Sequence, residues 1–312
     1  MNRERGKDIR DGVYIRPMIA AARLAAKVAR PFVVFESDVL RALHLPTSRS
    51  NASLSYYSSP KRNVESGAEL PIPPPHLRPG AVDKFCAANR NRQPQPNEDP
   101  EVAYLRSGKA VADAIAVAIE SQGASVASVG NVLDWGCSSG RVLRHFAEPA
   151  KNAEFWGVDV AAPFVRWAQE HISPPFFFTT ATSLPHLPFE DNFFGLVYSI
   201  SVVTHIEHLR DAWLTELRRV LKPGGLALLT IMDEHTLDAY AELGRPPWLP
   251  RNLSLEEMKR HDEALLRGPD WSLTFVFLRS DYCVREWGRI FDVVDVIPHF
   301  EFAQTAILLR KR

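Results

Sequence analysis

From Glu101 onward, apolar residues alternate between helical spacing and short runs suited to buried strands. Val102, Leu105, Ala112, Ile115 and Ile119 share one helical face, and Gly123 marks where that helix ends. The run Asn131 to Trp135 carries an acid near its end, breaks at Gly136-Cys137-Ser138-Ser139-Gly140, and resumes as an amphipathic helix expected to reach Phe146. Phe155 to Val160 reads as a second strand, Ala161 to Ile172 as a helix, and Phe176 to Thr180 as a third strand. After a proline-rich loop, Phe193 to Ile200 is the fourth. A helix over His205 to Leu221 buries Leu209, Trp213, Leu217 and Val220, and Lys222-Pro223-Gly224-Gly225 stops it. Leu226 to Met232 is the fifth strand.

Residues 233–272 break this rhythm with Pro246, Pro247, Trp248 and Pro250, and with a mixed-charge helix expected near Leu255 to Leu266. An insertion at this edge of a sheet usually covers the active site. Phe275 to Leu278, a helix over Asp281 to Ile290, and strands over Val293 to Ile297 and Ala303 to Leu309 finish the domain. A short turn joins the last two strands, so they are expected to pair antiparallel. Strands and helices alternating in this way define an α/β, doubly wound, mostly parallel seven-stranded sheet with an antiparallel last strand.

Before Glu101 the pattern differs. Residues 13–35 form an Ala-rich helix with Arg16, Arg23, Lys27 and Arg30 near one face. Such a face can lie on an anionic membrane surface or a docking partner, and the preferred expectation is a solvated side of a helix packed on its own domain. Residues 46–64 lack periodicity and read as a linker. Eight prolines between 71 and 100 favour an extended strap lying across the domain that follows. The expected division is therefore an extension over 1–99 and a catalytic-type domain over 100–312.

Net charge is zero but unevenly spread: residues 1–64 hold 12 Lys/Arg against 5 Asp/Glu, which leaves 25 against 32 in the remainder. The acidic larger part argues against nucleic acid as a partner. Cys86, Cys137 and Cys283 have no metal-ligand spacing, so no metal is expected and the thiols are expected to be free. No apolar run reaches the ~18 residues that span a bilayer. A cytoplasmic location is the expectation.

The stretch Asp134 to Arg141 is a strand–turn–helix unit whose glycines let a ligand approach bare backbone. Asp159 closes the next apolar run, about 20 residues on, where a doubly wound domain grips a ribose diol. A dinucleotide fingerprint would need glycines at Gly136, Ser138 and Arg141 and finds one. A phosphate-binding P-loop lacks its Gly-Lys-Ser/Thr. The stretch resembles motif I of the class I S-adenosylmethionine-dependent methyltransferases, D-x-G-C-G-x-G-R. The resemblance extends through Asp159, Leu187 to Asn192, Val197 to His205 and Glu216 to Gly225.

The resemblance implies S-adenosylmethionine as cofactor. Asp134 would order the turn, and Gly136, Cys137, Ser138 and Gly140 would face its methionine part. Asp159 and Val160 would hold the ribose end, Ser183 and Leu184 would line the adenine, and Ser199 and Ile200 would bracket the methionine amino group. Two departures stand out: Ser138 replaces the middle glycine, and Thr182-Ser183 stands where many relatives place an acid near the adenine amine. His205, at the edge where the cofactor would lie, is the first candidate general base, with His235 behind it. No motif for methylating base amines or pyrimidine carbons is present. A small-molecule or sugar-type acceptor, methylated on O or N, is the expectation. The alternatives are a non-catalytic member of the fold that acts as a scaffold, and a nucleotide-dependent oxidoreductase.

Overall fold

The computed structural model of the chain describes residues 70–78, 98–246, 248–268, 274–301 and 303–312. The described residues all fall within one compact unit, Ser55–Arg312. The expected basic helix, the linker and most of the strap lie outside the described residues, as does Cys86.

Helix α1 (Pro100–Glu120) opens on Asp99, whose carboxylate accepts the backbone N–H of Glu101 at 2.7 Å, with Pro100 at the first helical position. Its buried line runs through Tyr104, Val111, Ile115 and Ile119. Val102, expected in that line, is 55% exposed because the close approach of Gly108 to the chain at Arg141 sets the helix's rotation. The sheet comprises β1 (Val132–Trp135), β2 (Phe155–Asp159), β3 (Phe176–Thr180), β4 (Phe194–Ser199) and β5 (Leu221–Ile231). Helices α2 (Ala162–His171) and α3 (Arg210–Val220) connect them, and α4 (Glu234–Leu243) follows β5. Next come α5 (Leu255–Met258), β6 (Glu263–Leu266), β7 (Phe275–Leu278), α6 (Ser280–Trp287), β8 (Asp292–Glu301) and β9 (Gln304–Arg310).

Seven strands form one sheet in the order β3-β2-β1-β4-β5-β9-β8. The first five run parallel, and β9 pairs antiparallel with both β5 and β8, as their short connection requires. Alternate side chains sort the core into two layers. Val132, Phe155, Leu196 and Tyr198 face α1 on one side, while Leu133, Trp156, Val197 and Leu229 face Trp213, Leu217 and Trp287 on the other.

Three expectations fail locally. The chain after Gly140 makes only 3₁₀ turns, at Leu143–Phe146 and Pro149–Lys151. A left-handed Gly140 and Pro149 bracket too few residues for a stable α-helix. The helix expected from His205 starts instead at Arg210, because Leu209 before it takes a left-handed φ of 62°. The helix expected over Leu255 to Leu266 ends at Met258, and β6 follows it. There Ala264 and Leu266 pack on one cluster and Leu265 on another, and pairing with β7 imposes that two-residue alternation. The insertion builds a small core of its own from Met232, Leu237, Tyr240, Leu249, Leu255, Met258 and Phe277. No helix among the described residues is long and apolar enough to cross a membrane.

Candidate functional site at the carboxyl edge of the sheet

The ends of β1, β2 and β4 converge as the doubly wound topology demands. Gly136 and Cys137 both donate their N–H groups to the Val158 carbonyl, at 2.7 and 3.1 Å, which folds the turn over the end of β2. Asp159 completes the turn. Its carboxylate accepts the N–H of Ser138 at 2.7 Å on one oxygen and that of Ala161 at 2.8 Å on the other. These bonds hold Ser138 in a left-handed conformation, φ 50°, which an L-residue adopts at a cost. Each carboxylate oxygen keeps a further lone pair. Burial pushes the Asp159 carboxyl up, and the backbone N–H groups of Ala161 and Ser138 oppose that shift.

Asp134 sits beneath the turn, 3% exposed, and accepts the Tyr198 hydroxyl at 3.0 Å. Its hydrogen bond runs sideways to β4 and not up into the turn, so its expected ordering of the turn does not operate through a direct bond. Loss of solvent pushes its carboxyl up to about 7, with the nearby Asp159 charge adding to the shift. Gly136 gives clearance to the protein itself: a Cβ there would meet Val202 Cγ2 at 2.1 Å. At Gly140 the crowding atom is Ile172 Cδ1, 2.6 Å away. Cys137 points inward, its sulfur against Gly157, so only its backbone faces the edge.

Val160, next to Asp159 in the chain, and Leu184, in the loop after β3, are left open at 40% and 39% exposure. Ser183 lends its carbonyl to Trp213 Nε1 at 3.3 Å. Ser199 is fully buried at the end of β4 with its hydroxyl unpartnered, and Ile200 is half-buried against the α1-side core. His205 lies against the insertion: its Nδ1 is 2.8 Å from the Thr274 carbonyl, and its ring packs on Phe275. That contact places the proton on Nδ1 and makes Nε2 the basic nitrogen of the neutral ring. His235 is beside His299, ring centroids 5.7 Å apart. Its neighbours are engaged structurally, since Asp233 caps α4 through Thr236 and Glu234 accepts both the N–H and hydroxyl of Ser280.

Tyr104, Glu301 and Gln304 come to this edge unannounced by any motif. Tyr104, Ser139 and Arg144 meet beside the turn, Arg141 pairs with the buried Glu301 at 3.6 Å, and Gln304 donates to Ser201 Oγ at 2.9 Å. Tyr104 approaches from α1, and Glu301 and Gln304 from the β8–β9 hairpin, elements remote in sequence. A cavity of about 380 Å³ opens elsewhere, lined by Gln122, Lys222, Pro223, Arg310 and neighbours, and none of the expected site residues lines it.

An acid at the end of β2 beneath a glycine-bearing turn, on a sheet of this order, is the arrangement that the resemblance to the class I methyltransferases implies. Residues 133–229 match the family model described as "Methyltransferase domain". The malonyl-[acyl-carrier protein] O-methyltransferase of Salmonella typhimurium is 30% identical over 107 residues, 34% of this chain and 41% of that protein. The ubiquinone/menaquinone biosynthesis C-methyltransferase of Cupriavidus pinatubonensis is 30% identical over 132 residues, 39% of this chain and 54% of that protein. The chain thus spans about half the length of the curated relatives it matches. A solved S-adenosylmethionine-dependent methyltransferase structure from Listeria monocytogenes, described as putative in its own name, shares 15% identity. It covers 64% of this chain and 99% of its own, with a TM-score of 0.48. Over residues 133–229 the chain thus carries a segment similar to the methyltransferase domain.

The residues present suit that family's cofactor. A carboxylate with spare lone pairs fits a ribose diol, and the exposed apolar side chains of Val160 and Leu184 suit contact with a flat purine.

Proposed function

We propose that the chain is an S-adenosylmethionine-dependent methyltransferase that methylates a hydroxyl or amine of a small-molecule or sugar-type acceptor. The observation that carries this reading is Asp159, fixed by two backbone N–H groups at the end of β2 with exposed Val160 next to it in the chain. Asp159 would receive the ribose hydroxyls, Val160 and Leu184 the adenine, and the backbone of Gly136, Ser138, Ser199 and Ile200 the methionine end. When bound, the cofactor supplies an activated methyl group on a sulfonium. The protein's part is to align the acceptor and to exclude water.

A hydroxyl acceptor also needs a base. His205 is the residue we assign, because the Thr274 carbonyl fixes its tautomer and leaves Nε2 as the basic nitrogen. The β6–β7 unit and the small core of the insertion would form the acceptor's cover, with Trp248 stacked on Phe275 at 3.9 Å stiffening it. The relatives, a malonyl-[acyl-carrier protein] O-methyltransferase and a ubiquinone/menaquinone biosynthesis C-methyltransferase, differ in the atom their names say is methylated. Support for O- or N-transfer here rests on His205 alone.

Isothermal titration calorimetry with S-adenosylmethionine, S-adenosylhomocysteine and NAD tests the reading. The first two are expected to bind and NAD is not. Binding of NAD alone would replace it with an oxidoreductase, and binding of S-adenosylhomocysteine with no methyl transfer to any hydroxyl or amine acceptor would leave a scaffold.

A further inference from the structure

The proline-rich segment 70–78 has a chemical peculiarity: with Pro71, Pro73, Pro74 and Pro75 it has few N–H groups and presents mainly carbonyl acceptors. Whatever holds it must supply donors. Two side chains do so at its ends, and both belong to the chain just after β1. Ser139 Oγ donates to the Leu77 carbonyl at 2.7 Å. Because its single hydrogen is spent there, the Tyr104 hydroxyl, 3.2 Å away, is the donor in their mutual bond. A directed chain of bonds thus runs from α1 through the turn to the strap.

Arg144 Nη2 donates to the carbonyls of Leu70 and Pro71, the latter at 2.9 Å. This guanidinium is 6% exposed, lies over the Tyr104 ring, and has no carboxylate partner among the described residues. The strap carbonyls give this buried cation the acceptors that water would otherwise supply. Leu70 and Leu77 add apolar contact with the α1-side core.

The turn that would bind cofactor and the turn that holds the strap are therefore one object. Ser139 is the neighbour of Ser138, whose N–H is fixed by Asp159. We propose that segment 70–78 is a latch whose docking is thermodynamically coupled to cofactor binding, with Ser139 and Arg144 as the positioning residues that transmit the coupling. The proposal rests on the cofactor reading given above. An extended proline segment is already stiff, so docking it loses little conformational freedom and a modest bias suffices to set it. By reciprocity, cofactor that orders the turn must tighten the strap, and strap that leaves must weaken cofactor binding by the same factor.

The test uses the full chain, S-adenosylhomocysteine as probe, and hydrogen–deuterium exchange of peptides spanning 70–78. Arg78 gives an independent handle. It ties the strap to Glu101 on α1 without touching the turn, so Arg78→Gln loosens the latch and leaves the binding residues intact. Saturating S-adenosylhomocysteine is expected to slow exchange of the strap in the wild type about tenfold. Arg78→Gln and Arg144→Gln are each expected to speed it and to weaken S-adenosylhomocysteine binding about tenfold, in the range typical of coupled sites. Faster strap exchange in Arg78→Gln with unchanged affinity would overturn the latch and leave the cofactor reading standing. So would strap exchange in the wild type that does not respond to the probe, or strap exchange that neither variant accelerates. Failure of the wild type to bind the probe would instead overturn the cofactor reading.

Discussion

Replacing Asp159 by Asn tests the part of the site on which the functional reading depends. The substitution keeps size and one oxygen, removes the charge, and turns the second oxygen into a donor. In the unliganded protein both oxygens accept backbone N–H groups, from Ser138 at 2.7 Å and Ala161 at 2.8 Å. Whichever way the amide settles, one of these N–H groups faces another donor. A buried donor left unsatisfied costs about 1–3 kcal/mol, and that loss is expected in chemical denaturation.

Binding suffers separately. A hydrogen bond to a charged group contributes about 1.5–3 kcal/mol, so losing one toward the ribose weakens S-adenosylhomocysteine roughly 10- to 150-fold. Calorimetry at a temperature where the variant is fully folded separates the two effects. Ile119→Val is the control for stability alone, since Ile119 is fully buried in α1 and the change costs about 0.5–1.5 kcal/mol. Its affinity should match the wild type. If Asp159→Asn binds the probe as tightly as the wild type does, Asp159 is only a brace for the turn, and the reasoning from it to a ribose fails.

Asp134→Asn probes the buried acid under the turn. Because burial raises its folded pKa from 3.8 to about 7, its contribution is favourable below pH 4, declines as pH rises, and becomes a full penalty above about 7. The wild type should lose up to about 4 kcal/mol between those limits through this group, and the variant should show a flatter melting temperature from pH 4 to 8; parallel curves would contradict the assignment. Ser138→Gly should stabilise the unliganded protein by about 1 kcal/mol in urea titrations, since it relieves a left-handed φ of 50° and removes a buried hydroxyl without a partner. Gly108→Ala should destabilise it by about 1–3 kcal/mol, because a Cβ would sit 2.2 Å from the Arg141 carbonyl and force α1 off the turn. An unchanged melting temperature there would show that the contact yields.

The alternating apolar runs and their stop signals were enough to place the strands of the main sheet, the antiparallel end and the turn after β1. Asp134, Gly136, Gly140 and Asp159 were legible because a strand's last residue and a tight turn constrain chemistry within a few positions of chain. What those residues contact was not legible. Gly136 clears space for Val202, Cys137 turns toward Gly157, and Asp134 answers Tyr198, which comes from β4. In each case the partner is set by strand order and register, which no local spacing encodes.

The same limit explains the misread helices. Helical spacing over Leu255 to Leu266 is overridden when β7 pairs with Glu263–Leu266, and the segment after Gly140 is cut short between a left-handed glycine and a proline. Sequence by itself therefore determined the fold class and the place of the tight turn after β1, because both are written in short-range periodicity. Only the tertiary structure decided that Ser139 and Arg144 hold the proline strap and that His205 rests on the insertion. Those contacts join segments dozens of residues apart, and they are fixed by which faces the packed sheet brings together.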